Sequence, residues 1–335
     1  MKIGQPSLWW DEAATISAAD RPVGELWDLV GHVDLVHGLY YVVMQFWVAV
    51  FGTSEVALRA PSAVALGVAI AGIVFLAARL TTPRAAWIAG LTAAILPGLS
   101  WSGIEAREWS IVTACVTWAT YSLCVALDTR SKGRYVAYTV LMTLAAAFSV
   151  MAILMLPVHL WLGAKAHRAR LVLLLATGIS CLALPLLHAS YAQRRQVSFI
   201  DLEATGLARQ IVFNQIFMKD QNGSYGHEDV VQWVLAGAFL IAVVAALADR
   251  SRPAAVLGAV WIAVPTLILA TPVLFGVQLY QARYLTYTAA GACLVMADGI
   301  DVLWSRYASR SSARVLLVLG AAVVTACASL AIVAQ

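Results

Sequence analysis

Long apolar runs dominate the chain and restrict what it can fold into. We expect about ten membrane spans, at residues 56–78, 85–103, 109–127, 135–149, 150–163, 171–188, 231–248, 254–275, 284–303 and 315–334. The 335 residues are 61% hydrophobic and only 12% charged, whereas a soluble domain is roughly a quarter charged. The sequence therefore predicts an all-α polytopic membrane protein and excludes soluble folds.

No internal repeat and no low-complexity segment divides the chain, so we expect a single transmembrane domain over residues 1–335. Its predicted parts are an external loop with short interfacial helices, a first helix group, a second external loop and a C-terminal helix group, at 1–52, 53–188, 189–230 and 231–335. The stretch 135–163 has room for only two short helices or a re-entrant pair, with a break near Phe148 and Ser149.

The apolar run at 38–51 decides the topology of everything after it. It has about 14 residues, too few to span a bilayer comfortably. If it does not cross, every short basic loop falls on one side, as the positive-inside rule requires; these loops hold Arg79, Arg84, Arg130, Lys132, Arg134, Lys165, Arg168, Arg170, Arg250, Arg252, Arg306, Arg310 and Arg314. We therefore expect 38–51 to be a short helix in the outer leaflet. Because no apolar span precedes these external residues, we also expect a first helix to be missing.

Two adjacent acids, Asp11 and Glu12, follow Trp9 and Trp10 near the start of the chain. A solvated loop with interfacial tryptophans is one interpretation. The other is catalytic, because a carboxylate at a water–lipid boundary can remove the proton of an acceptor hydroxyl when a sugar leaves a lipid phosphate. Asp11 is then the candidate base, and Glu12 would hold its neighbour or a sugar hydroxyl.

Further polar residues fall on the same predicted face. Arg107 is a candidate phosphate ligand, because a guanidinium fits phosphate oxygens, and Glu105 is a candidate for a sugar hydroxyl; a local pair between them is the alternative. Arg283 lies at the mouth of a late span, where it would neutralise a departing phosphate or simply reach lipid headgroups. The loop 189–230 adds Arg194, Arg195, Lys219, Asp220, His227, Glu228 and Asp229.

Neither a metal nor a nucleic acid is indicated. The spacing of His32, Asp34 and His37 could hold a metal ion, but a third firm ligand is lacking, so a divalent metal stays open without being indicated, and we expect no other cofactor. The five cysteines all lie in apolar runs without a CxxC pair, which argues against a disulfide framework or a zinc site. No basic run resembles a nucleic-acid patch.

Five motifs occur in an order that matches a known family: Ser7–Ala13 (SLWWDEA), His37–Tyr41 (HGLYY), Phe51–Ser62 (FGTSEVALRAPS), Glu105–Arg107 (EAR) and Arg283–Leu285 (RYL). The chain thus resembles the membrane-embedded GT-C glycosyltransferases, and more specifically the family 39-like dolichyl/polyprenyl-phosphate-mannose mannosyltransferases of actinobacteria. Gly38 stands where the family pattern has a proline. Each motif alone is weak, and the ordered set carries the resemblance.

The resemblance implies a GT-C fold and inverting transfer of a sugar, expected to be mannose, from a polyprenyl-phosphate donor to a lipid-linked or glycan acceptor of the cell envelope. The reaction would occur at the external face of a bacterial cell membrane, with Asp11 as base. The implied substrate-binding residues are Glu12, His37, Tyr40, Glu105, Arg107, Arg283 and Tyr284. Two alternatives stay open: a solute or lipid transporter or flippase, which would need ionisable groups near the midplane, and an inactive relative that binds a lipid-linked sugar.

Overall fold

A computed structural model describes residues 3–4, 7–193, 204–217, 228–248, 252–308 and 311–333. These residues are mostly helical and contain no β-strand. The predicted all-α polytopic architecture is confirmed.

Short helices form the first part of the chain. They are α1 (Trp10–Ala19), α2 (Val23–His32), a 3₁₀ turn (Leu35–His37) and α3 (Gly38–Phe51). Asp34 takes a left-handed conformation at φ 57°, which aspartate tolerates better than most residues. Asp34 turns the chain from α2 into the 3₁₀ turn and so determines the position of His37 at the end of that turn.

Longer helices follow. In the first half they are α4 (Glu55–Leu80), α5 (Pro83–Ile95), α6 (Pro97–Gly103), α7 (Trp109–Thr129), α8 (Lys132–Phe148), a 3₁₀ segment (Val150–Met155), α9 (Leu156–Lys165) and α10 (Ala169–Ala192). Ser54 and Thr82 cap α4 and α5 by accepting backbone N–H bonds. The interruption at Ser149 agrees with the break predicted at this position.

In the second half the helices are α11 (Ala204–Arg209), a π-helical turn (Gln210–Asn214), α12 (Gln215–Phe217), α13 (Glu228–Leu247), α14 (Pro253–Ala270), 3₁₀ turns (Thr271–Phe275 and Ala282–Leu285), α15 (Thr288–Tyr307) and α16 (Ser311–Val333). Across the described ranges, six helices are long and apolar enough to cross a membrane, or seven if α5 and α6, bent by 60°, count as one span. Shorter apolar helices occupy Leu35–Phe51, Val150–Lys165 and Gly320–Leu330.

The most deeply buried of these candidate spans is α15. A Cβ on Gly258 of α14 would lie 2.4 Å from the Gly291 carbonyl oxygen, and one on Gly299 would lie 2.2 Å from the Ala242 carbonyl oxygen of α13. Only glycine permits such close approach, which is typical of membrane helices that pack through small residues. The two contacts press α13 and α14 against α15.

Ion pairs mark one end of the bundle. Asp301 of α15 accepts from Arg84 Nε at 2.6 Å and lies 3.1 Å from Arg252, while Arg79 pairs with Asp128. Several of the predicted cytoplasmic arginines therefore lie at this end, which we call the basic end. The start of α4, the loop 104–108 and the turn Ala282–Leu285 lie at the other end, which we call the site end.

The short helix α3 stays at the site end. His37, just before it, contacts Glu108, and Trp47 near its other terminus donates to the carbonyl of Ala57 in the first turn of α4 at 2.8 Å. Phe46 and Val50 are exposed, as expected for side chains that face lipid. With 14 residues, α3 is one of the shorter apolar helices and is not among the six candidate spans of the described residues.

Candidate active site

A buried ion pair anchors the helix that carries the two acids. Glu12, in the first turn of α1, accepts two hydrogen bonds of 2.6 Å from Nε and Nη2 of Arg59, one turn into α4. It also accepts the backbone N–H of Ala106 at 3.0 Å. Both side chains are almost fully buried. The two oxygens of Glu12 are therefore engaged, and Glu12 fixes α1 against α4 and the loop 104–108.

The loop 104–108 is held from both sides. Thr15 of α1 donates to the Ala106 carbonyl at 3.1 Å, and Ser62 of α4 donates to the Arg107 carbonyl at 2.8 Å. The loop thus lies between α1 and α4, and its backbone has little freedom to move. Its side chains are presented to the space beside Asp11.

Asp11 lies between two arginines that come from distant parts of the chain. Its Oδ2 is 2.6 Å from Nη1 of Arg283, and its Oδ1 is 3.6 Å from Nη2 of Arg107. The Asp11 side chain keeps 27% of its surface exposed, whereas the two arginines are more buried. A partly accessible carboxylate is therefore held in place by two cations.

Aromatic groups orient the two guanidinium groups. Nη1 of Arg107 donates to the Tyr41 hydroxyl at 3.2 Å, and the guanidinium lies over the Tyr41 ring. The guanidinium of Arg283 lies 6.0 Å from the ring centroid of Trp9. Such contacts favour the charged arginine and limit its rotation.

His37 and Glu108 form a second polar pair. Nδ1 of His37 lies 2.7 Å from Oε1 of Glu108, which is buried. Burial alone would raise the pKa of Glu108, but His37 and then Arg107 hold it below its ordinary value. An ionised carboxylate only accepts, so Nδ1 carries the proton in this bond. The imidazole also packs edge-on against Trp109.

The two predicted tyrosines flank this group. Tyr40 is fully buried in α3. The Tyr284 ring is centred 6.0 Å from that of Trp109, and burial raises the pKa of its hydroxyl.

Buried polar atoms without a hydrogen-bond partner gather around Asp11. Within the described part of the chain they are the Tyr40 hydroxyl, both carboxyl oxygens of Glu105, Nε of Arg107, Oε2 of Glu108, Nε1 of Trp109 and Nε of Arg283. Buried polar groups are nearly always paired in proteins, and exceptions concentrate where water, an ion or a ligand binds. The arrangement is therefore suited to a polar ligand rather than to a closed structural core.

The structure brings the eight predicted site residues to the site end. It also adds two residues to which the sequence reasoning gave no role, Arg59 and Glu108. Arg59 could have been noticed, because an arginine within an apolar run needs a partner or a function. Glu108 gave no such signal beside Glu105. The predicted contributions of Arg194, Arg195, Lys219, Asp220 and His227 lie outside the described residues.

No group of three potential metal ligands occurs among the residues that the structure describes. Nδ1 of His32 hydrogen-bonds to the backbone carbonyl of Asp28 and lies 3.6 Å from its carboxylate, while His37 pairs with Glu108, so the two histidines have different partners. At mid-span, the two nitrogens of His159 lie 3.0 Å from the Thr120 hydroxyl and 3.3 Å from the Tyr138 hydroxyl. This histidine is paired within the bundle, which offers no support for a transport pathway.

The comparisons with known proteins bear on this arrangement. The family model of dolichyl-phosphate-mannose-protein mannosyltransferases matches residues 39–191. A solved structure of ArnT from Cupriavidus metallidurans in the apo state is similar at a TM-score of 0.55 and 18% identity, over 87% of this chain and 52% of that chain. A search of curated proteins finds no match.

The fold is that of the GT-C glycosyltransferases. Other similar GT-C structures are ArnT from Cupriavidus metallidurans bound to undecaprenyl phosphate (TM-score 0.54, 16% identity, 86% of this chain and 53% of that chain) and the archaeal oligosaccharyltransferase AglB from Archaeoglobus fulgidus with an inhibitory peptide and a dolichol-phosphate (TM-score 0.52, 14% identity, 88% and 47%). The GT-C resemblance noted in the sequence is thus confirmed. The chain spans about half the length of these structures.

Proposed function

We propose that the protein is an integral-membrane glycosyltransferase. It moves a sugar, mannose, from a polyprenyl-phosphate donor to a hydroxyl group of a cell-envelope glycolipid or glycan. The transfer is an inverting single displacement on the external membrane face. Asp11 is the base, and Arg107 and Arg283 hold the phosphate.

One observation carries this proposal: a partly exposed carboxylate shared by two arginines, surrounded by buried polar atoms that lack partners. Asp11 supplies the base, and the guanidinium groups of Arg107 and Arg283 lie 3.6 and 2.6 Å from it. A phosphate bound by these two cations would place its sugar beside Asp11. The free Nε of each arginine supplies a further donor for phosphate oxygens.

The charges balance through the reaction. The acceptor oxygen forms a bond to the anomeric carbon, the bond from that carbon to the phosphate oxygen breaks, and the electron pair leaves with the phosphate. The phosphate gains one negative charge, while Asp11 takes the acceptor proton and loses one. Arg283 therefore loses its carboxylate partner at the moment when the phosphate needs a cation, and we expect it to transfer its hydrogen bond from Asp11 to the phosphate.

An apolar groove supports a lipid donor. A cavity of about 1000 Å³ runs between α5, α6, α13, α15 and α16. Gly237, Ala238 and Ala242 form part of one wall, and Pro97 and Phe217 also line it. Its largely apolar lining is suited to an isoprenoid chain.

Mannose is proposed as the transferred sugar because the matching family model is that of the dolichyl-phosphate-mannose-protein mannosyltransferases. The lipid phosphate rests on the ligands named for the ArnT and AglB structures. The external face rests on the charge distribution, because the short loops rich in arginine and lysine lie away from Asp11.

The test is transfer of radiolabelled mannose from polyprenyl-phosphate-mannose in membranes that carry the protein. Asp11→Asn keeps the shape of the side chain and removes the base, so we expect activity to fall by about 10²–10⁴-fold. Asp20→Asn is the matched control, since Asp20 lies at the exposed end of the same helix. It should leave transfer unchanged.

Two results would contradict the proposal. Equal transfer by the wild type and Asp11→Asn would exclude Asp11 as the base. No transfer by the wild type from any of several polyprenyl-phosphate sugars would exclude the activity itself.

A further inference from the structure

Glu105 is a buried acid without a partner in the middle of the site. Only 2% of the residue is exposed, and neither carboxyl oxygen has a hydrogen-bond partner among the described residues. The two arginine-bound acids nearby differ from it, since Asp11 and Glu12 both form close ion pairs. A buried carboxylate that is left unpaired is costly, so Glu105 needs a physical explanation.

The backbone keeps this side chain inside. Its own carbonyl accepts the N–H of Arg107 at 2.8 Å. The N–H of the next residue, Ala106, is bound by Glu12, and the Ala106 carbonyl is bound by Thr15. With these neighbouring peptide groups fixed, the backbone position from which the Glu105 side chain projects is held, and that side chain is buried.

The surroundings of Glu105 favour the uncharged acid. Burial raises its pKa well above the ordinary value; Arg107 opposes this rise, and Asp11 adds to it. The titratable and charged groups that act on Glu105 come from four elements besides its own loop: Asp11 and Glu12 on α1, Tyr40 on α3, Arg59 on α4, Arg283 on the turn Ala282–Leu285, and Arg107 on its own loop. Asp11 and Glu12 already form ion pairs with arginines, whereas neither carboxyl oxygen of Glu105 has a hydrogen-bond partner among the described residues.

We propose that Glu105 acts as an uncharged carboxylic acid that donates a hydrogen bond to a phosphate oxygen of the lipid-linked sugar donor. This inference rests on the proposed function. It makes Glu105 a catalytic residue of a kind different from Asp11: one carboxyl group accepts a proton, and the other keeps its proton.

An uncharged acid suits this position for two reasons. A second carboxylate beside Asp11 would repel the phosphate, whereas an O–H donor attracts it. A hydrogen bond from O–H to an anionic oxygen is short and strong, and it strengthens as charge grows on the phosphate in the transition state. Enzymes are known to hold a carboxylic acid uncharged at neutral pH in this way.

The test compares Glu105→Gln with Glu105→Ala in purified protein. Glutamine keeps the shape and an N–H donor but carries no charge, so we expect transfer activity within about tenfold of the wild type, while alanine loses about 10²–10³-fold, as for other removed donors at an anionic transition state. Glu55→Gln is the control, because Glu55 is exposed at the start of α4. A glutamine variant as inactive as the alanine variant would overturn the proposal.

The pH profile separates a donor from a structural group. If Glu105 must hold a proton, the glutamine variant should keep its activity at alkaline pH at least as well as the wild type. The opposite result is that wild-type activity rises with pH as one group ionises, and that this rise is absent in Glu105→Gln. It would show that the ionised carboxylate of Glu105 is the active form. That result would also overturn the proposal.

Binding of undecaprenyl phosphate gives a second readout that needs no turnover. We expect Glu105→Gln to bind this lipid like the wild type and Glu105→Ala to bind about tenfold or more weakly, with each protein measured well below its own thermal midpoint. If the wild type has no transferase activity, the proposed function is rejected. If the wild type is active and Glu105→Ala keeps the same activity and the same lipid binding, only the role of Glu105 is rejected.

Discussion

Replacing Arg59 with methionine tests whether a buried ion pair holds the catalytic helix in place. Arg59→Met keeps a long apolar side chain in α4 but removes both hydrogen bonds to Glu12. The Glu12 carboxylate would remain buried, with the Ala106 N–H as its one strong remaining donor. Because Asp11 precedes Glu12 in the same helical turn, we expect stability and activity to fall together.

The structure gives the size of the effect. Both side chains are no more than 2% exposed, and both bonds are 2.6 Å long. Removing one partner of a buried ion pair typically costs about 3–5 kcal/mol, because the other charge is left uncompensated. At roughly 2–4 °C per kcal/mol, the thermal midpoint should fall by at least about 6 °C.

The assay is thermal unfolding in detergent, followed by tryptophan fluorescence, beside mannose transfer. Arg79→Met is the matched control, because its pair with Asp128 is partly exposed at the basic end and should be worth about 1 kcal/mol or less. The double variant Arg59→Met with Glu12→Gln should regain much of the lost stability, since the buried charge is gone while an amide oxygen still accepts from Ala106. If Arg59→Met cost no more than the control, the ion pair would not anchor α1.

Three further predictions follow from the same geometry. Arg283→Lys should lower kcat/KM by about 10²-fold, because a lysine lacks the planar fork that contacts Asp11 and then the phosphate; wild-type kinetics would refute this. Glu108→Gln should weaken the bond to His37 and lower stability by about 1–3 kcal/mol. Because the pKa of Glu108 is depressed in the folded state, wild-type stability should be lost as pH falls through that pKa, and the variant should lose this dependence; unfolding at pH 3–7 checks both. Glu105→Gln should stabilise the protein at neutral pH, since a raised carboxyl pKa costs stability as pH rises above the unfolded value; equal or lower thermal midpoints at pH 7 would contradict this.

Hydropathy was enough to predict the all-α polytopic class, but it predicted about ten spans, whereas the described residues hold six or seven helices long and apolar enough to cross a membrane, because several predicted spans are short or broken helices. The candidate spans follow apolar runs because backbone and side chains in lipid leave few alternatives to a helix. The distribution of arginine and lysine predicted a short helix over 38–51 that does not cross, and α3 spans those 14 residues. The short length of 135–163 predicted the interruption at Ser149. These features depend on short stretches of sequence or on the number of charged residues in each loop. They could therefore be predicted without knowing which residues contact each other in the folded chain.

The contacts of the site could not be predicted in the same way. Asp11 and Arg283 are separated by almost the whole chain, and their contact depends on how the turn Ala282–Leu285 packs in the folded protein. Arg59 lies inside an apolar run, where its partner depends on how the short helix α1 folds back. The family motifs gave the order of these residues along the chain, but they did not show that Glu12 forms an ion pair with Arg59.

The charge balance of the resting site ties these contacts to the proposed reaction. With Glu105 uncharged, the acids Asp11, Glu12 and Glu108 equal the cations Arg59, Arg107 and Arg283 in number, so the charges of these six side chains cancel before any ligand binds. The Glu12–Arg59 pair is buried, so a ligand cannot reach it, and its role is structural. The two arginines around Asp11 are different, because they share a carboxylate that keeps 27% of its surface exposed. A phosphate that enters here must compete with Asp11 for Arg283, and protonation of Asp11 during transfer removes that competition. Base and phosphate site are therefore coupled through one guanidinium, so Arg283→Lys should alter kcat more than KM.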